Sequence, residues 1–181
     1  MTQEFKLTSV VSGDITLYAG WKVNAFTVTL NHDGGTGVAS VAADYNTTIA
    51  QPTSTKVGYT FDGWYNGDTK FDFATKIVGD ITLTAHWTVN KYTVTFDYQG
   101  KGTGLTTKEV TFDQAYGELP IPTAVSGYTF GGWFTLTTGG DEVTAATVVK
   151  TANAVTLYAR WNEVLSLAAP TNISKWDDAL T

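Results

Sequence analysis

Residues 26–30 read FTVTL and residues 92–96 read YTVTF, a strict alternation of apolar and hydroxyl side chains. A period of two puts Phe26, Val28 and Leu30 on one face of an extended strand, and Tyr92, Val94 and Phe96 on one face of another, with the intervening threonines opposite. ITLTAHW at 81–87 and VTLYARW at 155–161 alternate likewise. Ile81, Leu83, Ala85 and Trp87 therefore share a face, as do Val155, Leu157, Ala159 and Trp161. Each segment is predicted to be a strand with one buried side. Helix is expected to be scarce: the Pro-containing stretches QPTSTKVG and LPIPTAVSG suit extended connections, and only FDFATKIV, 71–78, has room for a helical turn.

The blocks recur in a fixed order, so the chain is a repeat written twice. GYTFDGW at 58–64 returns as GYTFGGW at 127–133, between the Pro-containing stretch and the final strand. A third ending, ITLYAGW, stands at 15–21, and residues 5–21 align without gaps on 71–87. In a regular strand, Tyr59 and Phe61 would face one way and Trp64 the other. Gly63 and Gly132 permit a bulge that would turn both tryptophans inward. A small unit without disulfides can hardly leave its largest apolar side chains outside, so Tyr59, Phe61, Trp64 and Trp87, with Tyr128, Phe130, Trp133 and Trp161, are expected to form a core signature rather than a ligand platform.

The order [FY]TVT[FL], Gly-rich turn, Pro-containing connection, GYTFxGW and TLxAxW resembles the Listeria–Bacteroides repeat, the B-repeat of internalin-type surface proteins. The resemblance covers 22–161 as two full units and 5–21 as part of another. It implies a β-rich α+β fold of tandem small β-grasp-like (ubiquitin-like) repeats with little helix. It also implies a place on secreted or wall-anchored bacterial proteins and a role in adhesion, spacing or partner contact, without catalysis. The expected organisation is 1–21 as the end of a preceding repeat, 22–87 and 88–161 as the two units, and 162–181 as a linker leading into a further module. LAAPTNISKWDDALT, 167–181, resembles the opening of a fibronectin type III domain.

Composition narrows the chemistry. The 181 residues carry a net charge of −6 with no basic segment, so a nucleic-acid partner or an anchor to an anionic membrane lacks its cationic stripe. Abundant Thr and Val suit strands. There is no cysteine, which removes disulfides, thiol nucleophiles and cysteine metal sites. Residues 1–20 lack the pattern of a signal peptide, and no apolar run is long enough to span a bilayer; the segment is read as cytoplasmic or as cut from a longer exported chain.

No catalytic, cofactor or metal constellation emerges. His32 falls opposite Tyr98, and His86 opposite Gly20 and Arg160, so both histidines are read as surface residues outside any repeated arrangement. Asp62, Asp68 and Asp72 have no counterpart in the second unit. HDGGTG and QGKGTG lack phosphate-loop spacing and do not open a helix, which leaves tight turns as their reading. The expected partners are an unidentified protein or glycan at the cell surface or on a host. A carbohydrate-binding role would use exposed Tyr18 and Tyr158, and self-association would run through open strand edges.

Overall fold

The computed structural model describes residues 10–165 together with Lys6 and Thr8, and every regular element among them is a strand. Residues 167–181, with their fibronectin-like reading, lie outside the described residues. The alternating segments are strands at the expected places, β1 (Ala25–Asn31) and β7 (Ile81–Val89), and between them the first unit forms β2 (Thr36–Gly37), β3 (Ser40–Asp44), β4 (Ser54–Thr55), β5 (Tyr59–Asn66) and β6 (Thr69–Lys70). The second unit repeats them as β8 (Lys91–Asp97), β9 (Gly102–Thr103), β10 (Thr107–Thr111), β11 (Thr123–Ala124), β12 (Tyr128–Phe134), β13 (Glu142–Val143) and β14 (Val155–Glu163).

Each unit builds one five-stranded sheet, in the order β3-β1-β7-β5-β6 and β10-β8-β14-β12-β13. All neighbours are antiparallel except the central pairs β1–β7 and β8–β14, which are parallel. The pairs β2–β4 and β9–β11 form separate two-stranded ribbons. Parallel neighbours need a long crossover, and here the intervening strands and loops supply it.

One face of each sheet is apolar, as the alternation demands. Val28, Leu30, Ala43, Trp64, Ile77, Leu83 and Ala85 form the first core. Val94, Phe96, Val110, Trp133, Leu157 and Ala159, joined by Tyr98, Tyr116, Val143 and Val149, form the second. Thr27, Thr29, Thr93 and Thr95 are exposed on the opposite face.

Two expectations need correction. FDFATKIV forms no helix: a single turn closes from Thr75 N–H to the Asp72 carbonyl, and the chain then runs extended so that Ile77 bridges Thr47. Residues 15–21, read as a final strand, have no regular structure and are exposed. In the two complete units that strand lies between a parallel and an antiparallel neighbour, and this segment has neither.

Candidate functional site

The signature GYTFxGW departs from a regular strand at one residue. Phe61 pairs with Trp87 and Gly63 with His86, so Asp62 is an extra residue, a bulge that recurs between Phe130 and Gly132. Gly63 and Gly132 have φ of 135° and 116°, which lets the chain turn there. The effect is to bring Phe61 and Trp64, three residues apart, onto the same face. Their rings meet edge to face at 5.5 Å, and those of Phe130 and Trp133 at 5.4 Å.

Trp64 and Trp133 are the largest fully buried side chains, at 0% and 2% exposure. Each donates its indole N–H at 2.8 Å to a proline carbonyl, Pro52 or Pro120, in the Pro-containing connection that covers the core. Trp87 and Trp161, half-buried, donate to the carbonyls of His32 and Tyr98 at 3.0 and 2.9 Å. Thus four indoles tie the loops to the sheets. Trp64 and Trp133 are enclosed by protein, and Trp21, 93% exposed, gives a contrast: in acrylamide quenching, Trp21→Phe is expected to remove much of the quenchable emission, whereas Trp64→Phe and Trp133→Phe should leave it.

His32 is not a surface residue. Its ring is half-buried and packs edge to face on Trp64 at 5.2 Å, where Tyr98 packs on Trp133 at 5.3 Å. Nε2 lies 2.8 Å from the Val38 carbonyl and must carry the hydrogen, so in the neutral ring Nδ1 accepts from the Ser54 hydroxyl at 2.6 Å. Tyr98 makes the matching bond from its hydroxyl to the Leu105 carbonyl at 2.6 Å, and burial raises its phenol above the usual value. His32 and Tyr98 are two solutions to one packing problem. His86 is exposed and stacks on Tyr65 at 3.8 Å.

The remaining candidates stay apart. Asp62 accepts from Thr88, and Asp72 from the Ala74 N–H of its own turn. Among the described residues no three acidic or histidine side chains gather as a metal site. Tyr18 is exposed in the irregular segment, while Tyr158 is half-buried on β14 beside Phe134 of β12. Arg160 lies over the Phe134 ring and donates to the Gly139 carbonyl.

The most elaborate polar arrangement lies between the two units, and of its residues only Tyr59 belongs to the expected core signature. Only Asn90 separates β7 from β8. Its N–H donates to the Gly58 carbonyl, its carbonyl accepts from Phe112 N–H, and its side chain accepts from Thr60. Phe112, buried at 6% exposure, packs edge to face on Tyr59 at 5.9 Å. The Tyr59 hydroxyl donates to Asp113 at 3.1 Å, and Lys150 donates to the other carboxylate oxygen at 2.6 Å. Lys150 and Tyr59 hold the Asp113 carboxyl below its ordinary value, while burial and Asp113 push the Tyr59 phenol up. Lys56 lies over the Tyr59 ring, 4.5 Å from its centre. An open groove of about 470 Å³, lined by Gly34, Thr36, Thr55, Lys56, Tyr59 and Asp113, runs along it. This is an interface built by both units, with one carboxylate held between a phenol and an ammonium.

A sequence model of the Listeria-Bacteroides repeat domain matches residues 26–86 and 92–160, one match on each sheet. Internalin H of Listeria monocytogenes is 43% identical over 166 residues, which cover 88% of this chain and 29% of that protein. A protein of Evansella cellulosilytica, named as a Gly-rich membrane protein, is 36% identical over 173 residues, covering 91% of this chain and 19% of its own length. A second Evansella cellulosilytica protein, named as a membrane protein, is 34% identical over 157 residues, 84% of this chain and 23% of its own length. The chain thus spans less than a third of the length of these relatives. Two family matches in register with two copies of one sheet, together taking in more than half of the sequence, lead to one assignment: the chain belongs to the Listeria-Bacteroides repeat family.

Proposed function

We propose that this region is a non-catalytic, semi-rigid spacer in a bacterial surface protein, holding other parts of that protein at a distance and offering its exposed faces for weak adhesive contacts with proteins. The observation that carries the reading is the joint. Two domains on a slack linker move independently, but here one residue connects the strands and Phe112, Asp113 and Lys150 of one unit grip Tyr59 of the other. The surface location rests on the relatives, one named as an internalin and two as membrane proteins. The strand order, with a parallel central pair flanked by antiparallel neighbours, supports a β-grasp reading in which an extended segment takes the place of the usual helix.

Gly58 provides the test. Its φ is 79°, and a Cβ there would lie 2.2 Å from the Phe112 ring, so alanine strains the backbone and displaces the residue that fills the joint. Gly58→Ala is expected to loosen the two units without unfolding either. In small-angle scattering, the parent should fit one extended rigid arrangement and the variant a family of bent ones. A parent curve that already requires freely jointed units would refute the spacer reading.

A further inference from the structure

The joint has two halves, and each unit carries both. The receiving half is the aromatic and the positive-φ residue that follow the third strand of a unit: Phe112 and Asp113 after β10 in the second, Tyr45 and Asn46 after β3 in the first. The equivalence is structural. Phe112 N–H donates to the Asn90 carbonyl and Asp113 N–H to the Val149 carbonyl; Tyr45 N–H donates to Asn24 and Asn46 N–H to Ile77. Asp113 and Asn46 have φ of 59° and 64°. The donating half is the Gly-Tyr corner, Gly58–Tyr59 in the first unit and Gly127–Tyr128 in the second. Here too the flanking bond recurs, Val164 N–H to the Gly127 carbonyl as Asn90 N–H to Gly58.

Where the halves meet they are covered, and where they do not they are open. Phe112 is 6% exposed and Gly58 is buried, whereas Tyr45 is 55% exposed and Gly127 is exposed. Val78, which occupies the place of Lys150, is 63% exposed. Exposed aromatic and aliphatic side chains gathered around a backbone corner mark a contact surface, and the covered copy within this same chain shows what fits it.

We propose that Tyr45, Asn46 and Val78 form a docking surface for the Gly-Tyr corner of another repeat of this family joined in tandem. The Asn46 side chain accepts from that repeat's tyrosine hydroxyl as Asp113 accepts from Tyr59. Repeat arrays are held by nearest-neighbour interfaces of this kind, and the proposal extends the spacer reading, on which it rests, from one joint to a continuous series. The receiving face of the first unit is neutral where that of the second is charged. The corner of the second unit matches that of the first, with Lys101 4.3 Å over the Tyr128 ring as Lys56 is 4.5 Å over the Tyr59 ring.

The test is a fusion in which Trp161 of one copy is followed by Lys22 of a second. Lys22-Val23-Asn24 then stands where Thr88-Val89-Asn90 stands in the existing joint. The absence of native cysteine allows spin labels on Thr137→Cys of the first copy and Asp68→Cys of the second, both exposed sites. The same two positions in the single chain span the existing joint and serve as reference. The expected result is one inter-label distance as sharply distributed as the reference, broadened by Tyr45→Ala in the second copy while far-UV circular dichroism is unchanged. A broad distribution in the fusion beside a sharp reference overturns the proposal and leaves the spacer reading intact. A broad reference overturns both. A sharp distribution indifferent to Tyr45→Ala removes Tyr45 from the surface and with it the proposal.

Discussion

Trp64→Ala is expected to destabilise the first unit by about 3–5 kcal/mol, the range for emptying a fully buried aromatic site. The side chain has no exposed surface, and it touches Phe61 and His32 edge to face. Its removal also leaves the Pro52 carbonyl without its donor, a further cost of about 1–3 kcal/mol if water cannot reach it. That is a large share of the stability of a small domain. Because each unit has its own core, denaturation should split into two transitions, with the first unit unfolding early and the second near its parental midpoint. Trp133→Ala should produce the mirror image. Trp64→Phe bounds the contributions, since it keeps most of the volume while losing the bond to Pro52 and the outer part of the indole. A Trp64→Ala variant with the parental midpoint would show that the indole does not support the core.

Gly63→Ala is expected to cost about 1–3 kcal/mol through backbone strain at a positive φ. The nearest obstacle to a Cβ is the end of the Lys70 side chain at 2.7 Å, which can swing away. Truncating it in Gly63→Ala/Lys70→Ala should therefore recover little, whereas a steric origin would predict nearly full recovery. Gly132→Ala should behave alike, with Glu142 and Phe134 as its neighbours. Both effects are read as shifts in the urea midpoint at constant slope. A constant slope distinguishes strain from a bulge that irons out and turns Trp64 into solvent.

The alternation of Val28 and Leu30 with threonine left no doubt about a one-sided sheet, because period two has one physical meaning. The bulge was half legible: a glycine before tryptophan permits it, but only the pairing of Phe61 with Trp87 and Gly63 with His86 shows it used. His32 was misread for an instructive reason. Comparing the two units assigns unlike positions to the surface, yet an imidazole and a phenol can fill the same place when each donates to a carbonyl in the following loop. The side-chain contacts of the joint were out of reach because Tyr59, the pair Phe112-Asp113 and Lys150 are far apart in sequence, and within its own unit Tyr59 reads as part of the core signature. The signal was present in the pairs Tyr45-Asn46 and Phe112-Asp113, an aromatic followed by a residue that tolerates positive φ, at the same point in both repeats.

The parallel pairing of β1 with β7 has a mechanical meaning. Each unit is entered through β1 and left through β7, and these strands lie side by side at the centre of the sheet with Val28 opposite Ile81 and Asn31 opposite Thr84. Tension applied to the two ends pulls the neighbours past each other, so the hydrogen bonds between them bear the load together instead of opening in turn. With Asn90 alone between β7 and β8, that load passes directly from one central pair to the next. A chain built this way is expected to unfold at a higher force when pulled through its two ends than when pulled so that its strands peel apart one bond at a time.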